Sequence, residues 1–471
     1  MARDISPFDH LSDSIIILIL PFLPFQEAAR TSILSKRWKS LWTFTTNIQL
    51  HESNFVEEVG GERKISNDAF LDFAQRFVSN YQGNKIEKLG ISMVMTNALR
   101  PLVEGWIEFG VSRDANEISL EFSEGGVGDF TLPSILLGHT CLKSLKLAAC
   151  MVVAEDLIRF KLLNSLHLGR VEITVTIVQR VLKECHLLES LSLEKCTGID
   201  FLYISGQNSP LKNLTIDGCE FSKGLSICPN NLKYFRYFGT IRRYDYLELS
   251  SAVEVDLDFG MEKSYHNFGE TLCRMLKGID TTKTLRVCSY TPQTDALEGQ
   301  EFTKALRVLP SGLDVLYLSE PLYVTHLVIK TGFHVHELPG IASIIRSSPC
   351  LETLTIEMGK TLLLENFEYP YGPTVLSSAR FWELQKKIWF QCFGGPLKKI
   401  TVRNFDVHEN NLMDFLVFLK VNAVGLKTIL LETSILNPWS SWSSQDQLLL
   451  ARKLSCPVLS PFKRVLLIQL K

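Results

Sequence analysis

The sequence predicts an α/β solenoid in which one parallel strand and one return helix make each turn, and two observations predict it. The phrase LxxLxLxxC recurs as LKSLKLAAC (142–150), LESLSLEKC (188–196) and LKNLTIDGC (211–219), and LNSLHLGRV (163–171) keeps its three leucines. The starts at 142, 163, 188 and 211 give steps of 21, 25 and 23 residues, the length of one repeated supersecondary unit. Between phrases the periodicity changes. Val178, Val181, Leu182 and Cys185 stand at i, i+3, i+4 and i+7, as do Phe268, Thr271, Leu272 and Met275 apart from the polar threonine, and this is helical spacing.

The chain opens differently. Residues 8–50 read FDHLSDSIIILILPFLPFQEAARTSILSKRWKSLWTFTTNIQL. Ser12 caps a first helix that carries Ile15, Leu18, Ile19 and Phe22, while Ile16, Ile17 and Leu20 leave it no clean polar face. Pro21 and Pro24 end it, a short helix follows through Glu27 to Ser32, and Ser35 caps a third bearing Trp38, Leu41 and Trp42. Three short helices cannot bury that much apolar surface among themselves, so a covering partner is expected. The stretch resembles an F-box of the plant pattern LPDELLxxILSFLP followed by SKRWRxLW. That resemblance implies docking onto a Skp-type adaptor and, through it, onto cullin and RING subunits of a ubiquitin ligase. It implies that Leu11, Ile15, Ile19, Leu20, Leu23, Pro24, Ile33 and Leu34, with Lys36, Arg37 and Trp38 of the SKRW run, contact the adaptor or brace the contact. One position departs from the pattern: Ser12 stands where the family has proline, which removes a fixed backbone geometry at the helix start and implies reduced adaptor affinity.

In the middle of the chain the repeat step matches leucine-rich repeats, whose period is about 20–29 residues. Weaker copies at IEKLGI (86), ANEISL (115), LKYFRY (232), AVEVDL (252), TKTLRV (282), LDVLYL (313) and LETLTI (351) extend the array in both directions. LxL alternation turns the leucines to one face and exposes the residues between them. Cys150, Cys196 and Cys219 share a turn position suited to a small weak donor against a neighbouring repeat's backbone. Target-binding candidates are therefore the variable positions, chiefly Lys143, Lys146, His167, Lys212, Lys233, Tyr234 and Arg236; the last three belong to a cluster with Tyr237, Arg242, Arg243 and Tyr244 that mixes cations with aromatics.

After EYPYGPTVLSSA (368–379), a stretch rich in Pro, Gly and Ser, residues 395–433 place an apolar helical stripe, Leu412, Phe415, Leu416 and Leu419, between LKKITV and LKTILL. This segment, with LARKLSCPVLSPFKRVLLI (450–468), resembles the FBD domain that closes many plant F-box/leucine-rich-repeat proteins, and the likeness implies a cap on the array. The expected fold is thus an α/β leucine-rich-repeat solenoid, preceded by a small three-helix F-box and closed by an FBD α/β cap. The expected boundaries are an F-box at 1–50, a linker and helix leading into the solenoid at 51–85, the solenoid at 86–360, a linker at 361–394 and FBD at 395–471.

Composition excludes several functions. Lysine plus arginine is 49 against 51 acids, a net charge of -2 that supplies no field for gathering polyanions, so no nucleic-acid partner is expected. Eleven cysteines, an odd number with no CxxC pair, read as reduced thiols of a cytoplasmic or nuclear protein. The run Ile15–Leu20 is far shorter than the roughly 20 residues of a membrane span, and Asp4, Asp9 and Asp13 with only Arg3 for positive charge argue against a secretion signal. No phosphate loop, GxSxG elbow or HExxH helix is present, and GGVGD (125–129) has neither the spacing nor the lysine of a phosphate loop. His334 and His336 form a lone HxH better suited to a polar loop than to a metal. No cofactor, metal or catalysis by this chain is expected. The leading reading is the substrate-recognition subunit of a Skp–cullin–F-box ligase, a monomer within a hetero-oligomeric complex. A non-ligase interaction scaffold and a secreted repeat receptor stand as alternatives, although the GxIP turn of plant extracellular repeats is missing.

Overall fold

The structure is a computed structural model that describes residues 11–59, 62–123, 130–206, 210–242, 245–262, 269–291, 321–360, 377–406, 408–432 and 467–470. The phrase at 313, Phe268, Arg243, Tyr244, GGVGD and most of 368–379 and 450–468 lie outside the described residues. The chain divides into two compact units, Met1–Ile199 and Asp200–Lys471.

The first unit begins with three short helices, α1 (Asp13–Ile19), α2 (Phe25–Arg30) and α3 (Trp38–Leu41). A six-stranded parallel ladder follows, in the order Asn47–His51, Lys88–Val94, Glu117–Ser123, Ser144–Ala148, Ser165–Gly169 and Ser190–Glu194. Register is set by the leucines: Leu145 pairs with Leu166 and Leu166 with Leu191, Leu147 with Leu168 and Leu168 with Leu193, and all six are at most 2% exposed. Because the side-chain period of a strand is two, a slip of one residue would turn every one of these leucines to solvent. The helix Val175–Glu184 buries Val178 and Val181 and is followed by buried Cys185, as its spacing predicts, while Thr174 caps it by accepting from the Ile177 N–H at 3.4 Å.

Each phrase leaves its strand by the same backbone device. Ala149, Arg170, Lys195, Gly218 and Asn404, each the first residue after a strand, all have left-handed φ, between 48 and 65°. The next residue then plunges inward: Cys150, Val171, Cys196 and Cys219 are 1–3% exposed. Cys196 Sγ meets the Leu168 carbonyl of the preceding repeat at 3.2 Å, whereas Cys150 turns to its own Ala148 carbonyl at 3.5 Å. Lys195 holds this conformation despite its Cβ, at a local cost of roughly 1–2 kcal/mol that the ladder on either side must offset.

The stretch 51–85 is packed structure. It forms an antiparallel hairpin, Val56–Val59 with Glu62–Ile65, and a helix α4 (Asn67–Asn80). From α4, Phe77 stacks on Trp42 with ring centroids 5.1 Å apart at 28° and meets Phe25 edge-on at 5.1 Å; Phe73 lies 6.3 Å from Trp42. Part of the covering that the N-terminal helices need therefore comes from their own chain.

In the second unit nine strands run parallel in the order Asn213–Asp217, Tyr234–Phe238, Glu254–Asp258, Thr284–Val287, His326–Thr331, Thr353–Met358, Lys399–Arg403, Thr428–Leu431 and Leu467–Leu470. A smaller parallel sheet joins Phe201–Gly206, Gly224–Pro229 and Tyr246–Leu247. Lys399–Arg403 pairs with Thr353–Met358 in the same leucine register as the repeats before it, Leu354 against Ile400. The segment from 395 thus carries the ladder onward. Residues 377–394, which composition assigns to a linker, form the helix Ser378–Gln385 and a 3-10 turn at Gln391–Gly394, with Phe381, Trp382, Phe390, Cys392 and Phe393 buried. Trp382 stacks 5.0 Å from Phe418 and lies 4.6 Å from Phe415. Aromatic burial outweighs the turn-forming composition of the residues just before it.

Candidate functional site

Two surfaces carry the residues singled out from the sequence. The first is the outside of the N-terminal helices. Ser12 caps α1 as its position predicts, accepting from the Ile15 N–H at 3.4 Å. The module's own core is Ile16, Leu20, Ala28, Trp38 and Leu41, each at most 6% exposed. Outside it, Ile15, Leu18, Ile19 and Phe22 stand 45, 70, 40 and 87% exposed, and Ile33 and Leu34 stand 85 and 61% exposed. The first four are spaced i, i+3, i+4 and i+7; the first three share one face of α1 and Phe22 stands on the 3-10 turn Leu20–Phe22 that continues it. Six large apolar side chains turned to solvent from so small a module mark an interaction surface.

The residues that the resemblance assigns to the adaptor contact fall into two groups. Ile15, Ile19, Ile33, Leu34, Pro24 and Lys36 are exposed, and Leu11 and Leu23 are half-buried. Leu20 and Trp38 point inward, so they brace the surface and do not form it. Arg37 is a clamp: Nε donates to Asp13 Oδ1 at 2.6 Å and Nη2 donates to the Leu11 carbonyl, tying α3 to the start of α1. Ser35 Oγ accepts from the Trp38 N–H at 3.4 Å. Leu18 on α1 and Phe22 on the 3-10 turn Leu20–Phe22 that follows it are the most exposed apolar residues of this stretch, and neither belongs to the set that the resemblance assigns. IIILILPF is apolar at every position, so its pattern has no phase to separate the inward residues from the outward ones.

The second surface is the exposed face of the ladders. In the first unit Lys146 pairs with Glu121 at 2.9 Å and His167 with Glu194 at 3.2 Å. Burial and the Lys146 ammonium lower the pKa of His167, and burial lowers that of His51. Burial works to raise the pKa of Glu121, but hydrogen bonds from Lys146 and Ser119 hold it below the usual range. In the second unit Arg236 lies between Asp217 (3.6 Å) and Asp256 (3.9 Å), and Lys330 bridges Asp256 (3.6 Å) and Asp258 (3.1 Å). Arg286 reaches Glu254 and Glu357 at 3.0 and 3.3 Å, and Arg403 also holds Glu357. These side chains partner one another across neighbouring strands, or across one intervening strand for Lys330 with Asp256 and Asp258 and for Arg286 with Glu357, so these cations are not free to track a phosphate backbone.

Of the target-binding candidates, Lys146, His167, Tyr234 and Arg236 lie on ladder strands, whereas Lys143, Lys212 and Lys233 precede their strands at the ladder's edge, where Lys233 donates to the Ser251 carbonyl at 3.4 Å. Tyr237, grouped with the cation–aromatic cluster, is 2% exposed and donates to the Thr240 carbonyl at 2.6 Å. LxL alternation puts it on the leucine side. His334 and His336 sit with ring centroids 4.8 Å apart. Among the described residues no cluster of three or more His, Cys, Asp or Glu side chains is placed to hold a metal ion, and no helix is long and apolar enough to cross a membrane.

Short apolar helices joined to a stack of strand-and-helix turns define an F-box protein with leucine-rich repeats. Comparison with known proteins agrees. Residues 8–45 match the F-box domain and residues 78–449 match the family described as At1g61320/AtMIF1, LRR domain, so the chain belongs to the plant F-box/leucine-rich-repeat family. It is similar to the putative F-box/LRR-repeat protein At1g56400 of Arabidopsis thaliana, 29% identical over 432 residues that cover 87% of this chain and 85% of the relative. The F-box protein At3g62230 of the same plant is 26% identical over 86% of this chain and 87% of its own length. The F-box/LRR-repeat protein At4g14096, also from Arabidopsis thaliana, is 28% identical over 75% and 73%.

Proposed function

We propose that this chain is the substrate-recognition subunit of a Skp–cullin–F-box ubiquitin ligase, with the adaptor covering the exposed face of the N-terminal helices and a target protein held on the ladder surface. The observation that carries the reading is the set of six exposed apolar side chains on a module whose own core is already closed. The chain supplies no chemistry of its own. Its contribution to rate is proximity, which places target lysines near a charged conjugating enzyme held by other subunits. The FBD-like segment at 395–471 serves as the terminal cap of the array. The ten cysteines described are all free thiols, which supports residence in the reducing cytoplasm or nucleus.

Capture of the purified full chain by a Skp-type adaptor tests the reading. Retention of wild type, with loss in a Leu18→Ala/Phe22→Ala variant, is expected; equal retention of both removes it. A reconstituted ubiquitination assay separates a ligase receptor from an adaptor-bound scaffold, because the scaffold captures adaptor and transfers nothing.

A further inference from the structure

A cleft of about 170 Å³ opens in the second unit at the carboxyl ends of the strands Glu254–Asp258, Thr284–Val287, His326–Thr331 and Thr353–Met358. Ligands of parallel sheets gather at such strand ends. The deep walls are Phe259, Cys288 and Tyr290, which are 0, 6 and 4% exposed, with the two rings edge to face at 6.0 Å. Gly359 and Lys360 form an exposed lip. An apolar cavity of about 150 Å³ is known to hold a benzene ring, so this cleft fits one aromatic or branched aliphatic side chain.

The rim charges decide what lies beside that side chain. Asp258 is engaged by Lys330 at 3.1 Å, and Glu357 by Arg286 at 3.3 Å and Arg403. Lys360 has no ion-pair partner among the described residues. Glu262, the third acid of the lining, is 6% exposed, accepts from the Ile241 N–H at 2.7 Å and lies 3.9 Å from Arg242, so among the described residues the uncompensated charge at the mouth is positive.

We propose that this cleft is the anchor pocket for the target, taking one aromatic or large aliphatic side chain of an unfolded segment whose next one or two residues include an Asp or Glu that meets Lys360. This rests on the substrate-receptor reading and gives it a recognition chemistry. A few side chains seated in well-packed pockets dominate binding energy at protein interfaces, and a half-open pocket between strand ends suits an extended peptide.

Gly359 provides a plug. A Cβ built there meets nothing within 4 Å, so Gly359→Leu is accommodated without straining the backbone and adds an apolar side chain at the lip to narrow the mouth; Lys360→Glu reverses the rim charge and leaves the walls untouched. The full chain is offered to a random peptide library displayed on phage. Enrichment of Phe, Tyr, Leu or Met with Asp or Glu within two positions is expected. The enriched peptides, synthesised, should bind Gly359→Leu and Lys360→Glu at least tenfold more weakly, and selection on Lys360→Glu should favour Lys or Arg flanks. Absence of enrichment, basic flanks on wild type, or equal binding to both variants overturns the proposal. So does a low-molecular-mass compound seen by native mass spectrometry on wild type and missing from Gly359→Leu. Adaptor capture by the same variants is measured in parallel and should be unchanged; failure of capture by wild type would sink the ligase reading alone.

Discussion

Truncating Leu18 and Phe22 together separates binding from folding. Phe22 is 87% and Leu18 70% exposed, so neither contributes much to the module's core. Burying a whole Leu or Phe side chain is worth about 1.5–3 kcal/mol. Covering the exposed fractions of both should therefore contribute roughly 2–5 kcal/mol to adaptor binding, a weakening of about twenty-five- to four-thousand-fold on replacement by alanine, at 1.4 kcal/mol per tenfold. Stability should shift by no more than about 0.5 kcal/mol per site, the usual range for surface substitutions. Trp38→Ala is the contrast. Its ring is 6% exposed, and removing a buried ring costs about 3–5 kcal/mol, so the loss of adaptor binding should come with a lower melting temperature. Isothermal titration calorimetry against a Skp-type adaptor, with melting followed by circular dichroism, reads both quantities. A Leu18→Ala/Phe22→Ala variant that melts like wild type and binds within threefold of it would refute the assignment of this face.

Three other predictions test the fold. Gly198 has φ +87°, and a Cβ there would approach the Ile173 carbonyl to 2.7 Å, so Gly198→Ala should lower stability by about 2 kcal/mol or more; an unchanged urea midpoint would contradict the turn geometry. The pKa of His167 is lowered by burial and by Lys146, so below the ordinary histidine value of about 6.5 the unfolded chain takes the proton first, and this group favours the native state less as pH falls through that window. Denaturant midpoints at pH 7.5 and 5.5 should accordingly fall less on acidification in His167→Gln than in wild type, and identical drops would remove the claim. Cys141 and Cys350 are exposed, whereas burial pushes Cys150, Cys288 and Cys392 up to about 12, 11 and 12. Alkylation of the native chain, mapped by mass spectrometry, should mark the first two within minutes and the other three only on unfolding.

The repeat strands were legible because LxL alternation and helical spacing alternate along the chain: the phrases at 142, 163 and 188 fall on strands in a shared leucine register, and that at 211 falls on a strand whose Leu214 pairs with Phe235. Asn47–His51 was not, since NIQLH offers only two apolar residues before the hairpin, and its place as the first rung depends on pairing with Lys88–Val94. The burial of 377–394 was hidden for a related reason: FW, F and CF are scattered over thirteen residues, and they cohere only when the helix Asn410–Asn422 supplies Phe415 and Phe418. At the N-terminal face the residue types were readable, while the division between Leu20 inside and Phe22 outside was set by packing. The cleft left no local trace. Its lining spans Asp258 to Lys360, about a hundred residues that parallel register alone brings together.

The rings of Phe25 and Trp42 against Phe73 and Phe77 have a practical corollary for anyone trimming this gene product. A chain cut after residue 50 would strip the lid from an aromatic shelf on α4, and the excised fragment would carry two bare rings of its own, so both halves should be sticky in solution. The same shelf packs the leading helices onto α4, just ahead of the strand Lys88–Val94. Whatever grips those helices therefore also orients the start of the repeat array, as a handle orients the base of a blade.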